Sequence, residues 1–127
     1  MIKITINDLL NVIPVLRELS NKPFKGATTF KIARLMRELD KETILFEKAR
    51  QALAEKYGMR KEDGSLDTLE DGTIRIQEDK VQDCNEEMMV LLTTEIEINA
   101  DKITVEAFDN IEISPSQAIT IDALISY

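Results

Sequence analysis

The stretch TTFKIARLMRELDKETILFEKARQALAEKY, Thr28–Tyr57, contains neither glycine nor proline. Ile32, Met36, Leu39, Thr43, Phe46, Arg50, Leu53 and Tyr57 follow one another along it at alternating spacings of four and three. That spacing keeps one face of an α-helix turned toward a partner. Thr28 or Thr29 can cap its start. Gly58 is placed to end it at the C′ position, where glycine takes the left-handed conformation without steric cost. The stretch predicts one helix about 45 Å long at 1.5 Å per residue, and the rest of the chain must be arranged around it.

Upstream, Ile2, Ile4 and Ile6 alternate with Lys3 and Thr5, the pattern of a half-buried strand. Asn7 can cap a helix from Asp8 to about Leu19, with Leu9, Leu10, Ile13, Leu16 and Leu19 inward. Pro14 lacks an N–H and crowds the preceding turn, so it should kink this helix or divide it. In the second case a new helix begins at Pro14. Asn21–Gly26 reads as a connection.

Downstream, Glu62-Asp-Gly-Ser-Leu-Asp-Thr-Leu is echoed by Glu70-Asp-Gly-Thr-Ile-Arg-Ile-Gln. Asp-Gly is a turn dipeptide, and the echo predicts a hairpin or paired loop, with a strand through Ile74 and Ile76. From Glu78 to Leu92, Val81, Cys84, Met88, Leu91 and Leu92 return to helical spacing. Cys84 sits on that stripe as a small buried hydrophobe. Thr94–Ile98 alternates as a strand, Ile103, Val105 and Phe108 point inward, and Ile111 with Ile113 forms a short extended piece. Ser114, Pro115 and Gln117 spell a capping box with proline at the first helical position. Ala118, Ile121, Leu124 and Ile125 form the inner face of that last helix. The fold class is α+β and helix-dominated: one long central helix, two or three shorter helices packed on it, and a small antiparallel β element. No βαβ alternation suggests a parallel sheet. Residues 1–127 read as a single domain.

Composition narrows function. The chain is 43% hydrophobic and 31% charged, as in ordinary globular proteins, with four Phe, two Tyr and no Trp. There is no histidine, which removes His-based zinc sites and Ser-His or Cys-His nucleophilic pairs. One cysteine excludes an internal disulfide, and neither a secretory signal nor a membrane span is evident; a reducing, intracellular setting is expected. No Gly-rich phosphate loop or Gly-x-Ser-x-Gly occurs, no cofactor is indicated, and a non-enzymatic protein is expected. The net charge of −8 is unevenly spread. Residues 1–60 carry twelve Lys and Arg against seven Asp and Glu, and residues 61–127 four against seventeen. A basic helical half, 1–58, thus precedes an acidic α+β half, 59–127. The halves either fold back on each other or present opposite-signed surfaces.

Three features could carry function. Arg34, Arg37, Lys41 and Lys48 form a basic ridge opposite the apolar stripe of the long helix. It is either a solvated or protein-contacting face, or a track for nucleic-acid phosphates. Ile44 and Leu45 flank that ridge; either later elements wrap around them, or they meet another chain, of a partner or of a homo-oligomer. Around them Glu38–Lys41, Arg37–Asp40 and Glu47–Arg50 are spaced for ion pairs. Third, Asp67, Asp71, Gly72 and Glu78 match parts of a calcium loop. Leu69 and Arg75 stand where that loop needs oxygen ligands.

The order of residues also resembles a family. Ile4-Thr-Ile-Asn-Asp-Leu-Leu-Asn-Val-Ile-Pro-Val-Leu-Arg-Glu-Leu, Lys31-Ile-Ala-Arg-Leu-Met-Arg-Glu-Leu, Glu55-Lys-Tyr-Gly and Asn85-Glu-Glu-Met-Met-Val-Leu-Leu-Thr-Thr-Glu-Ile-Glu-Ile carry the likeness, with the two Asp-Gly turns and Ile113-Ser-Pro. They resemble small proteins of unknown function from tailed phages and prophages of Gram-positive bacteria. The resemblance implies a phage context: a virion or assembly component, or an accessory factor engaging a host protein. The setting would be the host cytoplasm or the virion. It supplies no activity and no functional residues.

Overall fold

The computed structural model describes residues 1–127. Its elements run β1 (Ile2–Thr5), α1 (Ile6–Ser20), α2 (Gly26–Tyr57), α3 (Val81–Thr93), β2 (Glu95–Ile98), β3 (Ile103–Thr104), α4 (Pro115–Ile121) and β4 (Ile125–Ser126). Helix dominates, with α2 the longest element at 32 residues. No helix is long and apolar enough to cross a membrane. The chain divides into two compact units, one of residues 1–43 and 94–127 and one of residues 44–93.

In the first unit β1 pairs antiparallel with β2, Ile2 opposite Ile98 and Ile4 opposite Ile96. Alternation sends Ile2, Ile4 and Ile98 into the core, while on the other face Lys3 lies 3.8 Å from Glu97. The strand passes into α1 without a loop. The cap is therefore Thr5, two residues earlier than Asn7: its hydroxyl accepts from Asp8 N–H at 3.1 Å, and the Asp8 carboxylate accepts from Thr5 N–H at 3.2 Å. Pro14 neither ends nor divides α1, which continues to Ser20. Proline is tolerated because it lies on the exposed side, while Leu9, Val12, Ile13, Leu16 and Leu19 bury the opposite one. Leu10 is only half-buried.

The N-terminal part of α2 contributes Ile32, Leu35 and Leu39 to this core, Leu35 with no exposed surface. Leu35 lies off the alternating stripe, one turn from both Ile32 and Leu39, so the buried face is wider than the stripe alone. Thr28 and Thr29 lie inside α2, which begins at Gly26; the Thr29 hydroxyl donates back to the carbonyls of Phe24 and Lys25, both at 3.2 Å. α4 has the anticipated capping box, with Gln117 N–H on Ser114 Oγ at 3.1 Å. It ends at Ile121, and the next residues turn so that Ile125 pairs in parallel with Ile103. Alternation within a two-residue strand is too brief to announce this pairing. Ile121, Leu124 and Ile125 are buried, whereas Ala118 is exposed. Phe24 and Phe108 meet edge to face at 5.8 Å. Ile111 and Ile113 lie in no strand.

The second unit holds the C-terminal part of α2, the echoed turns and α3. Lys61–Ser65 and Leu69–Thr73 fold alike. Gly64 N–H bonds Lys61 O at 3.0 Å and Lys61 N–H bonds Ser65 O at 2.8 Å; the equivalents are Gly72 to Leu69 at 3.0 Å and Leu69 to Thr73 at 2.7 Å. Gly64 and Gly72 both have φ +86, as a type I turn closed by a glycine bulge requires. Asp63 and Asp71 each accept the N–H of the second residue after them, at 3.0 and 2.9 Å.

These hairpins meet a third ribbon at a closed ring of backbone bonds. Met59 N–H donates to Arg75 O at 2.7 Å, Arg75 N–H to Asp67 O at 2.9 Å, and Asp67 N–H to Met59 O at 2.7 Å. The ring residues are eight apart in sequence, the period of the echo. Gly58–Ile76, Arg60–Leu66 and Thr68–Ile74 are the antiparallel bridges radiating from it. Gly58 does not take the left-handed conformation; Gly64 and Gly72 do. Its reason is space: a Cβ there would overlap the Ala54 carbonyl oxygen and come within 2.7 Å of the Leu66 side chain.

Candidate partner-binding surface

α2 fixes the angular positions of the ridge. At 100° per residue, Arg34, Arg37, Lys41 and Lys48 fall within about 60° of one another, with Ile44 and Leu45 on either flank. All six are exposed, and Ile44 and Leu45 each show 58% of their surface. No element wraps around the aliphatic pair.

Lys41 pairs with Glu38 at 3.0 Å, and Arg50 with Glu47 at 2.7 Å. The Arg37–Asp40 pair does not form, because Asp40 turns toward Arg17 of α1 at 3.6 Å. Arg34, Arg37 and Lys48 make no ion pair within 4.0 Å. Phe30, 78% exposed, stands four residues before Arg34 and heads the same stripe. Extending the ridge by one turn of the 3.6-residue period would have found it.

α3 supplies residues that the sequence reading passed over. Cys84, Met88, Leu91 and Leu92 face inward as expected, but Val81 is 43% exposed, and Met89 and Val90 stand out at 61% and 69%. Asp83, Glu86, Glu87 and Val90 share one side of α3 and, with Tyr57, bound a shallow concavity of about 390 Å³. Glu87 is already engaged: its carboxylate accepts from Lys56 Nζ at 2.8 Å. That bond lowers the Glu87 pKa and raises that of Lys56, whose ammonium also lies 5.0 Å from the Tyr57 ring centroid. Asp83 and Glu86 make no ion pair. The signal for this face was the complement of the inward stripe, residues 82, 86, 89 and 90.

A second concavity, about 520 Å³, runs between Leu53 and Ala54 of α2, Ile74 and Ile76 of the ribbons, and Cys84 and Met88 of α3. Burial, and then the negative charge of Glu87, raise the Cys84 thiol above its usual value. That favours the protonated, unreactive form and agrees with a packing role.

Asp67, Asp71 and Glu78 are not brought together as a calcium loop would need. Asp67 lies 3.3 Å from the Arg75 guanidinium, Asp71 is used by the Thr73 amide, and Glu78 opens the short turn leading to α3. The Leu69–Thr73 bond makes the segment a hairpin, so its carboxylates diverge from any common centre. No three acidic or thiol groups gather closely enough to hold a metal ion. Comparisons with protein-family models, with curated proteins and with solved structures give no match for this chain.

Proposed function

We propose that this is a non-enzymatic phage or prophage protein that works through protein–protein contacts. It would act as a virion or assembly component, or as an accessory factor engaging a host protein, in the host cytoplasm or in the virion. The carrying observation is the Ile44–Leu45 pair, 58% exposed at both positions and set among the cations of the α2 ridge. Aliphatic area ringed by charge suits a protein surface, because burying it supplies affinity while the rim sets orientation. The phage context rests on the sequence resemblance.

The test is cross-linking and capture from phage-infected cells with the wild-type chain and an Ile44→Asp/Leu45→Asp variant. Both side chains are exposed, so the thermal melt should be unchanged while a defined partner is lost. The same captured set with both proteins would sink the reading.

A second reading, nucleic-acid binding, is favoured by the unpaired Arg34, Arg37 and Lys48. It predicts retardation of DNA or RNA that weakens steeply with salt and drops in Arg34→Glu/Arg37→Glu. No shift at low salt removes it.

A further inference from the structure

We propose that the outward stripe of α2 docks the outward face of α3 of a second copy of this chain, head to tail, each copy's α2 receiving the α3 of the next. This rests on the protein-contact reading above and names the partner. On α2, Arg37 and Lys41 are followed one turn later by Ile44 and Leu45. On α3, Asp83 and Glu86 are followed one turn later by Met89 and Val90.

The two ladders have matching rise. Arg37 lies about 11 Å along its axis from the middle of the aliphatic pair, and Asp83 about 10 Å from the middle of its own. Laid side by side and parallel, Arg37 meets Asp83, Lys41 meets Glu86, and the two aliphatic pairs cover each other. An antiparallel alignment of the same pairs sets Lys41 opposite Thr93 and carries Arg37 past the end of α3, so that neither cation reaches Asp83 or Glu86.

The charges are available for this use. Arg37 makes no ion pair, its neighbour Asp40 being turned to Arg17, and Lys41 holds only the exposed contact with Glu38. Glu87 is held by Lys56, which leaves Asp83 and Glu86 as the acids of the α3 concavity without a cation. Opposite charge sets the register, and the aliphatic contact beside it keeps water away from the pairs. Within one copy the two faces point away from each other, because Leu53 and Ala54 of α2 and Cys84 and Met88 of α3 line one concavity on the inner sides of the helices. The contact is therefore heterologous and adds copies head to tail.

Sedimentation equilibrium at low and high salt tests the proposal. The wild-type chain should associate into dimers and longer head-to-tail species with rising concentration, less so at high salt. Arg37→Glu alone and Asp83→Arg alone should each raise the association Kd by about tenfold or more, since each places like charges at the contact. An equimolar mixture of the two variants should recover near wild-type affinity. In the mixture the introduced carboxylate at position 37 of one variant faces the introduced guanidinium at position 83 of the other, while the native pair forms where Arg37 of the Asp83→Arg variant meets Asp83 of the Arg37→Glu variant. A wild-type chain that stays monomeric at low salt overturns the proposal, as does a mixture no tighter than either variant alone. A monomer whose capture of a foreign protein is still lost in Ile44→Asp/Leu45→Asp would sink the second-copy contact and leave the protein-contact reading standing; a monomer whose capture is unchanged would sink both.

Discussion

The two units of this chain hold themselves together by different means. Seventeen of the nineteen buried apolar side chains belong to the first, and two, Phe46 and Tyr57, to the second. Of the twelve exposed large hydrophobics, seven lie in the second: Ile44, Leu45, Met59, Leu69, Val81, Met89 and Val90. The first unit is stabilised by burial, which is non-directional and scales with apolar area. The second relies on a ring of backbone bonds, glycine turns and half-buried side chains. Apolar area left in water stabilises nothing until something covers it, so the unit with the thinner interior is where a partner contributes most.

Core truncation should separate the two most strongly. Leu35→Ala is expected to cost about 2–5 kcal/mol of global stability, as for a fully buried leucine whose cavity cannot collapse. Leu53→Ala, at a half-buried position of the second unit, should cost about 1 kcal/mol. Chemical denaturation of both variants checks this, and equal losses would erase the distinction.

Gly58→Ala comes next. The added methyl has no room beside Ala54 and Leu66, and the change should cost about 1–3 kcal/mol. Its effect should be confined to the second unit, seen as faster exchange of the Met59, Asp67 and Arg75 amides while those of β1 and β2 are unmoved.

The smallest effect is a pH dependence. The Ser65 hydroxyl holds the Asp63 carboxyl below its usual range, and the Thr73 amide does the same for Asp71. A depressed folded pKa gives stabilisation that is present above the unfolded value of about 3.9 and is lost as pH falls through the folded value. Carboxyl titration by NMR should show both aspartates ionising below that unfolded value, with the turns loosening only below about pH 4. Loosening near neutral pH would contradict the turn assignment.

Much of the first unit was legible in sequence because its signals are local. The Ile2–Ile4 alternation, the Ser114–Gln117 box and the long helical stripe are each read within one element. What was missed depended on context. Ile6 closes the strand pattern while beginning α1, which hides Thr5 as the cap. Pro14 is tolerated because of what packs on the far side of α1. Ile103 and Ile125 pair across an intervening helix, beyond the reach of periodicity. In the second unit the echo of Glu62–Leu69 in Glu70–Gln77 announced turns but not the ring joining Met59, Asp67 and Arg75. Of the candidate surface, the α2 residues were placed correctly on an outer face, because charge marks such a face. Met89 and Val90, left off the inward stripe of α3, were not carried on to an outer face because periodicity was read for the buried side alone.

Amide hydrogen exchange on dilute and concentrated protein at low salt tests the central contrast most directly. The account predicts slow exchange in the first unit at both concentrations. In the second it predicts faster exchange when dilute, with added protection on concentration centred on Ile44–Leu45 and Met89–Val90. Equal protection of both units, or concentration-independent exchange at those four residues, would contradict it.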